Sequence, residues 1–320
     1  MTSAMSAVAV TGATGFVGGT VAAVLSGKGH DVVCLVRRDP GPSFPWPARQ
    51  VDMQDSDSLA RGLEGCDAVA HLAIPNDFHG MYADRRAAQD GYVGLTRRVV
   101  DAANRTGTRV GYVSTDWVFD GTGHLVDEEE PPNPVNFYGF LKAASELVVL
   151  ERADAGFVAR VGGVQGLHQT QDSGPRSQDV GFGYFVLSLV DALRVGRRFL
   201  VWEDPEINSV ATPIVSPEIG ALLGLAFEKR LGGVLHLAGA TAVTRRELAL
   251  ATCGVFGLDP ELLDFGPPPD EARLPAPVPY DTSMAAETTM ARLGATAQPI
   301  EAQLTALRLE AERGVPAPIS

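Results

Sequence analysis

Tyr138 and Lys142 lie four residues apart in the segment YGFLK, inside a stretch from Phe137 to Arg152 whose apolar spacing predicts a helix. Residues four apart on a helix share one face, so the phenol and the ammonium should point in the same direction. A phenol has an ordinary pKa of about 10, and a neighbouring ammonium lowers that pKa toward neutrality. The pair therefore predicts a tyrosine that exchanges a proton with a bound substrate.

Hydroxyl and carboxyl groups also end a buried strand upstream of that helix. The segment GYVSTDWVFDG carries an apolar strand, Arg109 to Ser114, directly into Thr115 and Asp116. Because ligands bind at the carboxyl ends of parallel strands, we expect Thr115 beside Tyr138. A threonine hydroxyl there can hold a carbonyl oxygen by a hydrogen bond while the tyrosine donates a proton. Asp116 fits a substrate contact and a simple turn former equally well.

A glycine turn near the start of the chain could bind a pyrophosphate. The segment VAVTGATGFVG is an apolar strand followed by three glycines, spaced G-x-x-G-x-x-G, that open a helix. Such glycines let the chain turn and let the backbone approach phosphates, while the helix N-terminus faces the anion. The spacing is one residue longer than the common dinucleotide fingerprint, so the prediction depends on the position at the first strand-to-helix turn. The residues expected on the cofactor are Gly12, Thr14, Gly15, Phe16 and Val17.

The second strand, His30 to Val36, ends in Arg37 and Arg38. Chains that bind NAD usually place an acid here, which accepts a hydrogen bond from a ribose hydroxyl. Two guanidiniums can instead hold a 2′-phosphate by paired hydrogen bonds. The sequence therefore favours NADP over NAD as the cofactor, with a solvated loop end as the alternative for both arginines.

Further cofactor contacts are expected where the third and fourth strands end, at the same edge of the sheet. Asp52 could accept a hydrogen bond from an adenine amino group, with Met53 next to it, although a plain loop aspartate fits as well. The fourth strand closes on Leu72, Ala73 and Ile74. These three should line the floor near the ribose and nicotinamide, or serve only as core.

Strand and helix patterns alternate through the first half of the chain. Strands that are apolar throughout and separated by helices predict a parallel sheet covered on both faces. The expected fold class is α/β, a Rossmann-type doubly wound parallel sheet with a smaller C-terminal substrate-binding lobe. Residues 1–162 should form the dinucleotide-binding domain and residues 163–320 the lobe, with some strands and helices of the lobe returning to the first domain.

Composition narrows the classes of partner. The 320 residues include 26 Lys plus Arg and 39 Asp plus Glu, a formal net charge of −13, which argues against nucleic acid and anionic membranes as binding partners.

The three cysteines lie far apart without metal-ligand spacing, so we expect reduced thiols and no metal. The N-terminal stretch lacks a basic start, and no apolar run reaches the ~20 residues of a membrane span. A cytoplasmic location is the expectation.

Three landmarks in order, TGATGFVG, STDWVFDG and YGFLK, resemble the extended short-chain dehydrogenase/reductase family, closest to its dTDP-4-dehydrorhamnose reductase-like branch, over nearly the whole chain. The resemblance implies NAD(P)-dependent reduction of a carbonyl, most simply the 4-keto group of a nucleotide-linked deoxysugar. It also implies that Thr115 orients the carbonyl and Tyr138 supplies the proton. Lys142 would hold the nicotinamide ribose and tune Tyr138.

The segments that should face the substrate depart from that branch. This chain has HLAIPNDFHG where the reductases usually carry an Ala-Tyr-Thr and Val-Asp run, Gly91 where the wider family often has Asn, and NSVATP in place of a Gly-x-Pro-Thr run. The substrate is expected to be a small molecule, with a homo-oligomer possible. Its candidate contacts are Asp116, Trp117, Arg160, Arg176 and Asn208.

Two other functions within this resemblance stay open. One is an epimerase or dehydratase, which returns the hydride to the substrate. Dehydratases usually place an acid pair after the catalytic threonine, whereas Trp117 follows Asp116 here, which disfavours dehydration. The other is a regulatory subunit that binds NADP without catalysis, a role that would not require Thr115, Tyr138 and Lys142.

Overall fold

A computed structural model describes residues 7–75, 77–169 and 178–314 of the chain. The strands are β1 (Ala7–Thr11), β2 (Asp31–Val36), β3 (Ala48–Gln50), β4 (Ala68–His71), β5 (Arg109–Val113), β6 (Gly156–Val161), β7 (Val164–Gln165), β8 (Phe199–Trp202), β9 (Val210–Ala211), β10 (Ile214–Val215), β11 (Gly233–Leu237), β12 (Val243–Thr244) and β13 (Leu263–Gly266). The helices are α1 (Phe16–Gly27), α2 (Ser56–Leu63), α3 (Phe78–Ala83), α4 (Arg85–Gln89), α5 (Leu95–Thr106), α6 (Phe137–Arg152), α7 (Phe185–Arg194), α8 (Ser216–Glu228), α9 (Arg245–Phe256), α10 (Glu287–Leu293) and α11 (Ile300–Arg313).

Seven strands form one parallel sheet in the order β11-β6-β5-β4-β1-β2-β3. The strand order reverses at β1, which pairs with β2 on one side and β4 on the other. At such a reversal the connections leave in opposite directions, so a cleft opens at the carboxyl ends of the strands. The predicted Rossmann-type sheet is confirmed.

Alternating side chains of β1 contribute to two hydrophobic layers, because successive residues of a strand point to opposite faces. Val8 and Val10 lie in the core that includes α1 and α8, whereas Ala9 lies in the core that includes α2 and α5. Both faces are therefore covered by helices, which explains why β1 is apolar throughout.

The second half of the chain contributes to both parts of the molecule. Strand β11 completes the main sheet beside β6, and α8 packs on α1. Helices α7, α9 and α11 share a separate apolar core, with short strand pairs β8/β13 and β9/β12 around it. The division of the chain at residue 162 stays a prediction.

The boundaries of several elements differ from the sequence prediction. Strand β4 ends at His71, so Leu72, Ala73 and Ile74 form a loop after it instead of its last residues. A π-helical turn, Asp90–Gly94, precedes α5, so the α-helix begins at Leu95, two residues after Val93, where its apolar spacing predicts the start. Apolar periodicity does not reveal such a turn, because one inserted residue changes the hydrogen bonding and only slightly the spacing.

Within the described residues, no helix is both long enough and apolar enough to cross a membrane, and no group of acidic, histidine or cysteine side chains is arranged to hold a metal ion. Cys34, Cys66 and Cys253 are buried free thiols, as predicted.

Candidate active site

A cavity of about 970 Å³ opens at the carboxyl edge of the main sheet, where β1, β2, β4 and β5 end. Its volume suits a cofactor together with a substrate. Its lining includes the glycine turn, Arg37, Trp117 and the segment 179–184, whose Tyr184 ring lies 5.6 Å from the Phe16 ring. Thr115, Tyr138 and Lys142 line the same cavity.

The glycine turn forms a cradle that side chains would fill. Gly12 has φ +76°, and a Cβ there would lie 2.9 Å from the Ala73 backbone nitrogen. A Cβ on Gly18 would lie 2.2 Å from the Gly12 carbonyl oxygen, so α1 can begin here only without that side chain. Gly15 caps α1 without a side-chain hydrogen bond, and the first turn contains no acid. Free backbone N–H groups at a helix start fit a pyrophosphate.

The residues predicted around the adenosine end divide into two groups. Arg37 and Met53 line the cavity, together with Gln54, which the sequence analysis did not select. Arg38 is exposed and does not belong to the lining, so the expected pair of guanidiniums reduces to one. Asp52 is also outside the lining, and its carboxylate accepts from the Gln54 N–H at 2.8 Å. This local contact fits the alternative of a loop aspartate for Asp52.

The loop after β4 is fixed by a chain of buried hydroxyl and imidazole groups. The Thr11 hydroxyl accepts from the Leu72 and Ala73 N–H groups at 3.1 and 3.2 Å, which places both residues in the cavity wall. His71 Nδ1 lies 2.8 Å from the Thr11 oxygen, and Nε2 lies 3.2 Å from the Thr96 oxygen.

The donor and acceptor roles in this series of hydrogen bonds follow from the contacts of Thr96. The Thr96 hydroxyl donates to the Tyr92 carbonyl at 2.8 Å, so it must accept from His71 Nε2. Nδ1 of His71 then accepts from the Thr11 hydroxyl. Burial, together with the charge of Lys142, lowers the pKa of His71 to about 3. His71 is therefore a neutral structural residue.

Replacing His71 with Asn should make the protein less sensitive to acid. The unfolded chain protonates His71 near its ordinary pKa of 6.5, whereas the folded chain does so only near 3. The unfolded state thus binds more protons in this window, and the parent loses stability as the pH falls from 6.5 toward 3. Between pH 7 and 5, the stability difference between parent and variant should shrink by about 2 kcal/mol. Urea unfolding at both pH values measures it, and parallel pH profiles would contradict this assignment.

Helix α6 begins where it does because of Asn136 and Gly139. The Asn136 side chain accepts from the Gly139 N–H at 2.9 Å and donates to the Pro277 carbonyl at 3.0 Å. A Cβ on Gly139 would lie 2.2 Å from the Trp117 carbonyl oxygen. The glycine in YGFLK therefore lets the start of α6 approach the turn after β5, and this approach brings Tyr138 to Thr115.

Tyr138 is half-buried among the rings of Phe78, Tyr92 and Trp117, with ring centroids 5.1, 6.1 and 5.9 Å away. Burial, with a smaller contribution from the charge of Asp116, raises its pKa to about 12, although a hydrogen bond with the Thr115 side chain opposes the rise. The prediction that a nearby ammonium lowers the pKa of Tyr138 is therefore wrong for the protein without a bound ligand.

Lys142 explains that difference. It is buried, and its Nζ donates to the Val113 carbonyl at 2.7 Å and lies 4.4 Å from the centroid of the Tyr112 ring. Burial lowers the pKa of Lys142 to about 7, and the charge of Glu146 partly offsets this. The ammonium thus contacts the end of β5, one helical turn from Tyr138, in the wall of the cavity.

Asp116 and Thr115 form the polar centre between these groups. The Thr115 hydroxyl lies 3.0 Å from Asp116 Oδ1 and accepts from the Trp117 N–H at 3.2 Å. Thr282 donates to Asp116 Oδ2 at 2.6 Å. Burial raises the pKa of Asp116 to about 6, while the hydrogen bonds from Thr282 and Thr115 oppose that rise. Asp116 therefore titrates close to neutral pH.

The predicted substrate contacts do not all reach the cavity. Asp116, Trp117 and Asn208 line it, although the Asn208 amide donates to the Val210 and Tyr280 carbonyls. Arg160 is not among the lining residues. Its guanidinium is buried and donates to Glu146 at 2.9 Å, because a charge inside the sheet must be paired. Arg176 lies outside the described residues.

Sequence reasoning missed the wall formed by the π-helical turn. Gly91 lies against Pro75, with 2.5 Å between its hypothetical Cβ and the proline Cγ, so the Asn common in the wider family would need a shift here. Tyr92 donates to the Pro75 carbonyl at 2.7 Å. Arg98 pairs with Asp90 at 2.8 Å and donates to the Met53 carbonyl at 2.9 Å. No local signal marks this wall, since its contacts join residues far apart in sequence.

Comparison with known proteins places this arrangement in a family. The RmlD substrate binding domain family matches residues 5–312. A dTDP-4-dehydrorhamnose reductase from Mycolicibacterium smegmatis is 29% identical over 273 residues, which cover 79% of this chain and 70% of the relative.

Two solved structures show the same fold at lower identity. One is MoeE5 in complex with UDP-glucuronic acid and NAD, with a TM-score of 0.76, 23% identity, and 96% of this chain and 99% of the other covered. The second is a dTDP-4-dehydrorhamnose reductase from Bacillus anthracis in complex with NADP, with a TM-score of 0.76, 19% identity and the same coverage.

The family match spans nearly the whole chain and includes the glycine cradle and the Thr115, Tyr138 and Lys142 cluster. The chain therefore belongs to the RmlD substrate binding domain family, in the dTDP-4-dehydrorhamnose reductase-like branch of the extended short-chain dehydrogenases/reductases, and is an NAD(P)-dependent oxidoreductase.

Proposed function

We propose that this protein is an NADPH-dependent reductase of a carbonyl group, most simply the 4-keto group of a nucleotide-linked deoxysugar. The observation that carries the proposal is the meeting of Thr115, Tyr138 and Lys142 in the cavity that also contains the glycine cradle. The reductase relative and the MoeE5 complex with UDP-glucuronic acid and NAD support the substrate class, and the MoeE5 and Bacillus anthracis complexes, with NAD and NADP, support the cofactor class.

The protonation state of Tyr138 suits reduction. With a pKa near 12, Tyr138 carries its proton at neutral pH, so it can donate to a developing alkoxide without prior activation. Thr115 lies within hydrogen-bonding reach of Tyr138 and can hold the same carbonyl oxygen. When bound, the reduced nicotinamide supplies the hydride to the carbonyl carbon. The phenolate left after proton transfer lies one helical turn from Lys142, whose positive charge favours the phenolate when the amine is protonated.

Lys142, Met53 and the glycine cradle would hold the cofactor. Backbone N–H groups at the start of α1 would face the pyrophosphate, and Lys142 lines the same cavity at the end of β5. The Ala73 and Ile74 side of the loop after β4 provides the floor. The aromatic rings of Phe78 and Trp117 exclude water around Tyr138, which strengthens each polar interaction there.

We expect Arg37→Ala to weaken NADPH binding and to change NADH binding little. Arg37 is the arginine at the end of β2 that lines the cavity, where a 2′-phosphate would lie. Loss of charge-assisted hydrogen bonds worth about 1.5–3 kcal/mol raises the NADPH Kd about ten- to a hundredfold. Fluorescence titration with each nucleotide measures both constants, and Arg38→Ala is the matched control. Equal losses for NADPH and NADH would refute the role of Arg37.

The substrate proposal is tested by following NADPH absorbance with a panel of nucleotide-linked 4-keto sugars and simpler ketones. Stoichiometric consumption of NADPH with formation of an alcohol is the expected result. Turnover of a sugar nucleotide without net change in NADPH would identify an epimerase or dehydratase instead. Binding of NADPH without turnover of any panel member would oppose the reductase proposal.

A further inference from the structure

Arg245 is the largest side chain that is fully buried in the described part of the chain. It is the first residue of α9, directly after Thr244, whose side chain and Glu247 form a capping box. The sequence analysis gave Arg245 no role, and it does not line the cavity. A buried guanidinium is costly unless its donors are satisfied, so its partners indicate what it does.

The partners of Arg245 are mainly backbone carbonyls of the cavity wall. Its Nε donates to the Asn208 carbonyl at 2.7 Å, and its Nη2 donates to the carbonyls of Asp179, at 2.9 Å, and Gly181. Nη1 lies 3.4 Å from the Gln178 side-chain oxygen.

Two aromatic rings confine the same group. The guanidinium carbon lies 5.0 and 5.7 Å from the ring centroids of Phe182 and Phe185. A planar guanidinium has donors at fixed angles, so it can hold both chain segments at once, in one relative position.

The segment held in this way lines the cavity, and its part beside Trp117 is the part that we assign to the substrate, whereas its Tyr184 ring lies 5.6 Å from the Phe16 ring. Residues 179–184 all line the cavity, and we name residues 178–184 the strap. The Asn208 N–H also donates to the Val180 carbonyl at 2.9 Å, which ties the two held segments to each other.

Contacts lead from the strap to the catalytic tyrosine. A Cβ on Gly181 would lie 3.2 Å from Trp117 Cζ2, so the strap backbone lies directly against the indole. The same indole meets the Tyr138 ring edge-on, with 5.9 Å between centroids. A displaced strap would therefore move one wall of the substrate site and the ring that orients Tyr138.

We infer that Arg245 is a positioning residue that fixes the strap against Trp117 and thereby shapes the substrate end of the active site. It acts through backbone carbonyls and Trp117, without touching substrate or cofactor. This inference rests on the proposed function only in assigning the substrate to that end of the cavity. The cofactor end, at the glycine cradle, receives none of its hydrogen bonds.

The test compares Arg245→Lys and Arg245→Met with Arg246→Gln. Lysine keeps the charge and most of the stem, but one ammonium cannot reach both held segments as the fork does. Arg246 is the matched control, since it is the next residue and forms an exposed pair with Glu203. For each variant, the substrate KM, kcat and NADPH Kd are measured, together with amide hydrogen exchange of the strap.

The expected result is a KM raised about tenfold or more in the Lys and Met variants, with the NADPH Kd unchanged. Exchange should increase in the strap and stay near that of the parent in α9 and α11. The Gly181→Ala variant, which pushes on Trp117 while keeping Arg245, should also raise KM. Hydrogen exchange needs no substrate, so this readout separates a failure of the inference from a failure of the proposed function.

Three results would overturn the inference. One is an unchanged strap exchange and KM in the Lys and Met variants. A second is a parallel loss of NADPH affinity, which would indicate general damage. The third is failure of both variants to fold, which would assign Arg245 to the fold of the lobe and not to the strap.

Discussion

Tyr138→Phe should lower kcat about a hundred- to ten-thousandfold, the usual contribution of a positioned proton donor. The phenol is the group within hydrogen-bonding reach of Thr115 at the centre of the cavity, and its proton is retained at neutral pH because burial raises its pKa to about 12. Phenylalanine keeps the ring packed against Phe78, Tyr92 and Trp117. Steady-state kinetics with NADPH and the carbonyl substrate measures the loss.

The NADPH Kd and the melting temperature should stay close to those of the parent, because the ring contacts remain. Tyr280→Phe is the matched control, since Tyr280 is exposed and does not line the cavity. Turnover by Tyr138→Phe at the rate of the parent would refute the assignment of Tyr138 as proton donor. It would also reopen the alternative of a subunit that binds the nucleotide without catalysis.

Glu146→Gln should lower the free energy of unfolding by about 3–5 kcal/mol, because it leaves a buried guanidinium without its carboxylate. Arg160 donates to Glu146 at 2.9 Å, and the Ser114 hydroxyl donates to the same carboxylate at 2.5 Å. Both charged side chains are 3% exposed or less. Equilibrium unfolding in urea gives the loss of stability.

Two further variants show whether burial causes this effect. Asp264→Asn breaks a pair with Arg198 in which both partners are about half exposed and screened by water, so the loss of stability should be much smaller. The double variant Glu146→Leu with Arg160→Met removes both charges and should recover most of the loss. If Glu146→Gln costs no more than Asp264→Asn, the buried pair is not a major source of stability.

The buried pair also shows where sequence reasoning failed. Arg160 ends a strand at the ligand edge, so its position favoured a substrate contact. The partner that removes it from the cavity, Glu146, lies on α6 one turn after Lys142. Strand and helix patterns predict each element, but they do not state which side chains meet between them.

The sequence by itself determined the parallel sheet, the glycine cradle and the shared face of Tyr138 and Lys142. Each of these depends on local spacing: apolar strands that alternate with helices, glycines at a strand-to-helix turn, and residues four apart on a helix. The role of Gly139 does not follow from local spacing, because its contact with the Trp117 carbonyl appears only in three dimensions.

Tertiary structure alone decided the electrostatics of Tyr138 and the identity of the residues that shape the substrate end. The pKa of Tyr138 rises because rings from three distant segments, those of Phe78, Tyr92 and Trp117, surround it, and Lys142 contacts Val113 instead of the phenol. Arg245 reaches the strap across 64 residues of sequence. Such contacts arise from packing between distant segments, and so the fold and the candidate proton donor could be predicted from the sequence while the position of the strap could not.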